Sequence, residues 1–213
     1  MAQAEKESLQ LWKHSMHIVT ISTGKIAKLH IDGDGPGRRV NSAIDKQPVS
    51  RQADPVSIYV GPLGLEGDEQ ADLNVHGGPE KALYCYPLEH YAFWEDTLVQ
   101  QASDLCPLPH GFFGENLTIE GVRENEVFVG DVWRMGELEC VVQELRKPCF
   151  KFIQKIGFQE AAALMVRTAR SGWYLSVKQT GILKAGDTIE VEEGPRKISI
   201  TQQNALLKVK RRL

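Results

Sequence analysis

The chain has 213 residues, 25% of them charged, and a formal net charge of −3. That length admits one large domain or two small ones with a substantial core, and the small net charge supplies no field favouring nucleic acid or an anionic membrane. No apolar run approaches the roughly 18 residues of a membrane span, and the charged start MAQAEKESLQLWKHSMH lacks the apolar stretch of a signal peptide.

Taken in chain order, MHIVTISTGKIAKLHI (16–31) is β-branched and alternating, one strand or two with a break at Gly24. DGDGPGRRVNSAIDKQP (32–48) is rich in turn residues and reads as a loop. SIYVGPLGLEGDEQAD (57–72) begins as a strand and passes into Gly- and Asp-rich turns. PLEHYAFWEDTLVQQ (87–101) is helical: Leu88, Tyr91, Phe93, Trp94 and Leu98 recur at helical spacing, and Pro87 suits a first-turn position. NLTIEG (116–121), EVFVGDVWRMG (126–136) and ELECVVQEL (137–145) read as strands, the last two joined by a tight turn at Gly136. FQEAAALMVRTA (158–169) is a second helix, and GWYLSVKQTG (172–181) and DTIEVEE (187–193) return to strands. Strands in consecutive runs without βαβ alternation predict a mainly β fold, an antiparallel β-barrel with a few peripheral α-helices. One domain is expected over 1–213, with its core at about 16–192 and a tail at 194–213 whose basic end KVKRRL (208–213) is solvated.

The four cysteines (85, 106, 140, 149) include no CxxC pair, which favours reduced thiols and a cytoplasmic protein. Cys85 and Cys140 sit in apolar surroundings and read as packing. Cys149 differs: in ELRKPCFKF (144–152) it stands among Arg146, Lys147 and Lys151, and nearby positive charge favours a thiolate, the form that attacks electrophiles or binds metals. In HGGP (76–79), Gly77 and Gly78 beside His76 serve either a tight turn or close backbone approach to a ligand. FGENL (113–117) sets Glu115 and Asn116 beside Gly114, as a polar strand cap or as part of a site. No second Cys or His lies at zinc spacing from Cys149, and no Walker loop or dinucleotide fingerprint is present. A nucleophilic pair of Cys149 with His76 or His90 stays open.

In their order and spacing, HGGPEKALYCYP, FGENL, VGDVWRMGE, RKPC, GWYLSV and AGD resemble the MOSC domain family, in particular its stand-alone YiiM-like type, over about residues 16–192. IDKQPV (44–49) also fits, whereas Leu145, where relatives often carry proline, and Ser176, where many carry a basic residue, depart from the pattern. The resemblance implies a molybdenum cofactor, a molybdopterin bearing the metal, with Cys149 as the protein ligand. Lys46, His76, Gly77, Gly78, Gly114, Arg146 and Lys147 are the candidate cofactor contacts, Arg146 and Lys147 lowering the thiol pKa. Glu115 and Asn116 would lie near the metal, and Glu115, His76 and Asp131 are candidates for proton delivery, Asp131 being equally a turn residue. The implied activity is reduction of N-hydroxylated compounds, hydroxylaminopurines and other hydroxylamines, to amines. Electrons would come from a separate reductase carrying flavin or iron–sulfur centres, and a homodimer is expected. The alternative from another class is a carrier of the cofactor or of sulfur on Cys149; a cysteine hydrolase is third. Trp173 and Tyr174 are expected to line the barrel or flank the site, packing being the favoured role for both.

Overall fold

The computed structural model describes residues 16–31, 38–73, 75–101 and 104–210. Two strands flank the break at Gly24, β1 (His17–Thr23) and β2 (Ala27–Ile31). The expected loop at 32–48 is only partly one. Residues 32–37 lie outside the described residues, but β3 (Arg38–Ser42) pairs antiparallel with β2, and β4 (Gln47–Arg51) pairs with β1. Arg38, Arg39 and Asn41 face solvent while Ser42 is buried, so pairing rather than apolar content makes this polar stretch a strand.

The strands β5 (Ile58–Gly61) and β6 (Gly64–Leu65) form a hairpin that joins β12 (Gly181–Leu183) in a small sheet. β7 (Leu83–Pro87) is a fully buried strand inside the stretch first read for its glycines. Pro87 ends that strand and precedes a 3-10 turn at Leu88–His90, so α1 (Tyr91–Gln100) starts four residues beyond it. The crossover through α1 lets β8 (Leu117–Glu120) lie parallel to β7, a βαβ unit the strand runs did not announce. β9 (Val132–Met135) and β10 (Leu138–Leu145) form the hairpin expected at Gly136, but the strand expected from 126 begins only at Val132. α2 (Phe150–Ile156) was not anticipated, and α3 (Ala161–Thr168) falls within the expected helix.

With β11 (Trp173–Gln179) and β13 (Glu190–Glu192), the main sheet runs β13-β9-β10-β11-β7-β8-β1-β4, antiparallel except at β7–β8. It curls: Ile18 N–H donates to the Asp187 carbonyl at 3.0 Å and Gly186 N–H to the Ile18 carbonyl at 2.7 Å, drawing the chain before β13 back to β1. The molecule is thus mainly β with a barrel-like mixed sheet and peripheral helices.

One core fills the curl, with Ile18, Ile21, Trp133, Trp173 and Leu175 at its centre. A second, with Tyr86, Trp94, Phe113, Phe152 and Met165, seats α1, α2 and α3 against the sheet. The expected tail is instead α4 (Ile200–Lys210), anchored by the fully buried Ile200 and by Asn204, whose amide donates to the Val166 carbonyl at 2.6 Å. The side chains of 208–213, the solvated basic end of the sequence reading, lie outside the described residues. Among the described residues no helix is long and apolar enough to cross a membrane.

Candidate functional site

A pocket opens between the start of α2, the His76 loop, the 113–116 turn and the segment leading into β4. The chain leaves β10 at Leu145 and turns into α2 at Cys149, which has extended backbone angles (φ −123°, ψ 176°). Burial opposes ionisation of the thiol. A hydrogen bond from His76, the Arg146 guanidinium and the Phe152 backbone N–H together outweigh it and bring Cys149 down to about 6.

Arg146 is the second component. It is buried, with its guanidinium 4.8 Å from the Phe152 ring centre and 5.8 Å from that of Tyr84. No carboxylate pairs with it among the described residues; the acidic group nearest in effect, after the tyrosines, is the Cys149 thiol. A buried cation without a carboxylate partner is costly, and the cost is met if an anion occupies the pocket.

Lys147 corrects the sequence reading. It is exposed, pairs with Glu144 at 2.6 Å and does not line the pocket, so only one of the two adjacent cations acts on the thiol. Lys46 lines the pocket but is already neutralised, its ammonium 2.5 and 2.7 Å from the two oxygens of Asp68 with both side chains buried. Gly77 and Gly78 do not line it. The Gly78 N–H donates to Gln70 Oε1 at 2.8 Å, and a Cβ on Gly77 would meet that same oxygen at 2.4 Å. These glycines therefore make room for Gln70, and the proposed amide cradle is absent at Gly78.

His76 and Gly114 line the pocket as expected; the imidazole Nδ1 is buried and, among the described residues, has no hydrogen-bond partner. Asn116 is there too, fixed by accepting from Tyr84 N–H at 3.1 Å and donating to Asp68 at 2.9 Å. Glu115 is fully buried and not among the lining residues. Asp131 lies elsewhere, in a separate cavity, where it accepts from Gly194 N–H at 2.9 Å and pairs with Arg196 at 3.2 Å. Its turn role prevails. His90 is likewise engaged with Glu124 at 2.8 Å and lines no part of the pocket, leaving His76 as the histidine beside the thiol.

Asp68, Lys81 and Tyr84 also line the pocket and were not foreseen. Tyr174 takes both of its expected roles, packing against the second core and flanking the pocket, with the Lys81 ammonium 5.8 Å from its ring centre. Trp173 packs in the core as expected. Burial pushes the Cys140 thiol up to about 12 and Cys85 well above the ordinary range, so neither competes with Cys149. Among the described residues no three His, Cys, Asp or Glu side chains gather as a metal-holding group. A metal here would meet one protein sulfur and bring its other ligands with it.

The MOSC domain profile matches residues 72–190, a span containing Cys149, Arg146, His76 and Asn116. Protein YiiM of Escherichia coli (strain K12) is 39% identical over 144 residues, covering 68% of this chain and 63% of that protein. A protein named "Reductase" from Gibberella moniliformis is 32% identical over 179 residues, covering 84% of this chain but only 29% of its own length. The crystal structure of YiiM from Geobacillus stearothermophilus superposes with a TM-score of 0.69 at 30% identity, over 92% of this chain and 85% of that one. The chain belongs to the MOSC domain family.

Proposed function

We propose that this protein is a molybdenum cofactor-dependent reductase that converts N-hydroxylated compounds, hydroxylaminopurines and other hydroxylamines, to amines. The observation that carries the reading is the Cys149 thiol, lowered to about 6 and set against buried Arg146 in an open pocket. Family membership and the fungal relative named as a reductase support the redox assignment.

The residues fit such a group. Thiolate is the softest ligand a protein offers, suited to a metal already bound by sulfur. The isolated Arg146 cation, with Lys81 and Lys151 along the lining, suits an anionic cofactor bearing phosphate. Bound there, the cofactor supplies the two-electron chemistry that removes oxygen from nitrogen.

The chain supplies the remainder. Cys149 Sγ is the protein ligand, and His76 and Arg146 hold it ionised. Tyr84, Phe113 and Tyr174 present aromatic surfaces to a planar base. Asn116, locked by Tyr84 and Asp68, fixes the wall beside Gly114. The sequence has neither iron–sulfur spacing nor a dinucleotide fingerprint, so a separate flavin or iron–sulfur reductase is the electron donor. A homodimer working in the cytoplasm completes the proposal.

The test compares protein purified from cells able and unable to make the cofactor, assaying molybdenum content and viologen-driven reduction of a hydroxylamine. Cofactor-dependent turnover, lost with the metal in Cys149→Ala, is expected. Bound cofactor that passes to an apoenzyme without turnover would instead indicate a carrier, and cofactor-independent hydrolysis a cysteine hydrolase.

A further inference from the structure

Behind the pocket wall the apolar interior is interrupted by a seam of buried polar groups. Thr20 on β1 stands opposite Thr118 on β8, both buried, with Ser22 two residues along β1. Glu115 joins this seam. Its Oε1 accepts from the Tyr91 hydroxyl, from Gly111 N–H at 2.9 Å and from the Thr118 hydroxyl at 3.1 Å. Its Oε2 is buried and has no partner among the described residues.

The seam has two ends. Outward, Thr20 Oγ1 lies 2.6 Å from Nδ1 of His110, a partly exposed histidine whose ring is 5.3 Å from that of Tyr91. Inward, the Lys46 ammonium lines the pocket, close enough that Glu115 raises it whenever the carboxyl is ionised. A fully buried carboxyl with an orphaned oxygen costs stability, and an apolar residue would cost less at a purely structural position.

We propose that Glu115 is a proton store for the pocket, discharged through Lys46 and refilled from solvent along His110, Thr20 and Thr118. The proposal rests on the reductase reading, in which each N–OH to N–H conversion consumes two protons. In the first pass the Lys46 ammonium gives a proton to the departing oxygen and in the second to the product nitrogen, and each time the Glu115 carboxylic acid reprotonates the neutral Lys46 amine. His110 imidazolium then restores Glu115 by successive donation through the two threonine hydroxyls and recovers its own proton from water. Two passes deliver both protons, while the electrons come from the separate reductase.

The surroundings agree with a store held in the acid form. Burial raises the Glu115 carboxyl despite the opposing hydrogen bonds from Tyr91, from its own and the Gly111 N–H groups, and from Thr118. Tyr91 on α1, Tyr84 and Tyr86 on β7 and Lys46 before β4 are the titratable groups that sense it. At the outer end burial and the charge of Arg51 lower His110, which makes it a ready donor.

Two measurements decide the matter. Infrared spectra of cofactor-free protein at pH 7 should contain a protonated-carboxyl band that is absent from Glu115→Gln. A wild-type spectrum without that band overturns the store, whatever the outcome for the reductase reading. In loaded enzyme, Thr20→Val should lower kcat roughly tenfold or more with little change in KM, within what positioned proton transfer contributes. Imidazole in the buffer and the hydroxyl-bearing Thr20→Ser should each restore much of that loss. A kcat that is unchanged, or that neither imidazole nor serine restores, defeats the relay. Loaded wild type without turnover removes the reductase reading and with it the use of the store, while the infrared result still decides whether Glu115 holds a proton.

Discussion

Lys46 and Asp68 form a buried ion pair in the wall of the pocket, and its geometry explains why neither is a simple ligand for an anion. Asp68 also accepts from Gly24 N–H at 2.7 Å and from Asn116 at 2.9 Å, so one carboxylate ties together three segments distant in sequence. Removing one partner of such a pair strands a charge, which costs about 3–5 kcal/mol, whereas removing both need not. Asp68→Ala should therefore destabilise by about that amount, and Lys46→Met on that background should recover part of the loss; denaturant unfolding of the four proteins gives the cycle. Much of this site was legible in the sequence because cysteine, histidine, glycine and clustered cations are conspicuous. Cys149, His76, Arg146, Gly114 and Asn116 all come together. Arg146 and Lys147 were indistinguishable there, but folding buries the first beside the thiol and leaves the second exposed and paired with Glu144. Asp68 carried no signal at all: its role comes from partners that only folding brings near.

At the scale of elements, α2 sets the position of Cys149, and it is held at both ends. Phe152 and Ile156 are buried one turn apart, Lys151 donates to the Asn41 carbonyl at 2.9 Å, and Lys155 donates to the Ile44 carbonyl at 3.0 Å and pairs with Asp45 at 3.0 Å. Gly157 closes the helix at φ 87°, its N–H returning to the Ile153 carbonyl at 3.0 Å. A Cβ there meets nothing within 4 Å, so Gly157→Ala suffers only backbone strain, about 1–2 kcal/mol for the left-handed region. In a chain of this size each kcal/mol corresponds to about 2–4 °C, and calorimetry should show a fall in Tm of that order with faster amide exchange confined to α2. The helix was readable: the apolar pair four residues apart and the terminal glycine are its signals. The cationic cluster drew the reading to charge instead. β3 was less accessible, since RRVNS has little apolar content and becomes a strand through its partner β2.

For the whole molecule, the curled sheet separates stability from chemistry. Ile200 plugs the sheet core at the start of α4, its N–H donating to the Val127 carbonyl at 2.9 Å, while the groups that set the thiol are His76, Arg146 and Phe152. One link crosses between them: Gln203 on α4 accepts from Leu145 N–H at 2.8 Å, one residue before Arg146. Ile200→Ala leaves a cavity in a tightly packed interior and should cost about 2–5 kcal/mol, measured as a lower denaturant midpoint at unchanged slope. The folded variant should still alkylate Cys149 with a pH midpoint near 6, because the groups that bring the thiol down, His76, Arg146 and the Phe152 N–H, all lie outside α4. A midpoint displaced toward the ordinary thiol range would mean that the cavity loosens Leu145 through Gln203 and carries Arg146 away from the sulfur. In that case the C-terminal helix belongs to the site as well as to the core.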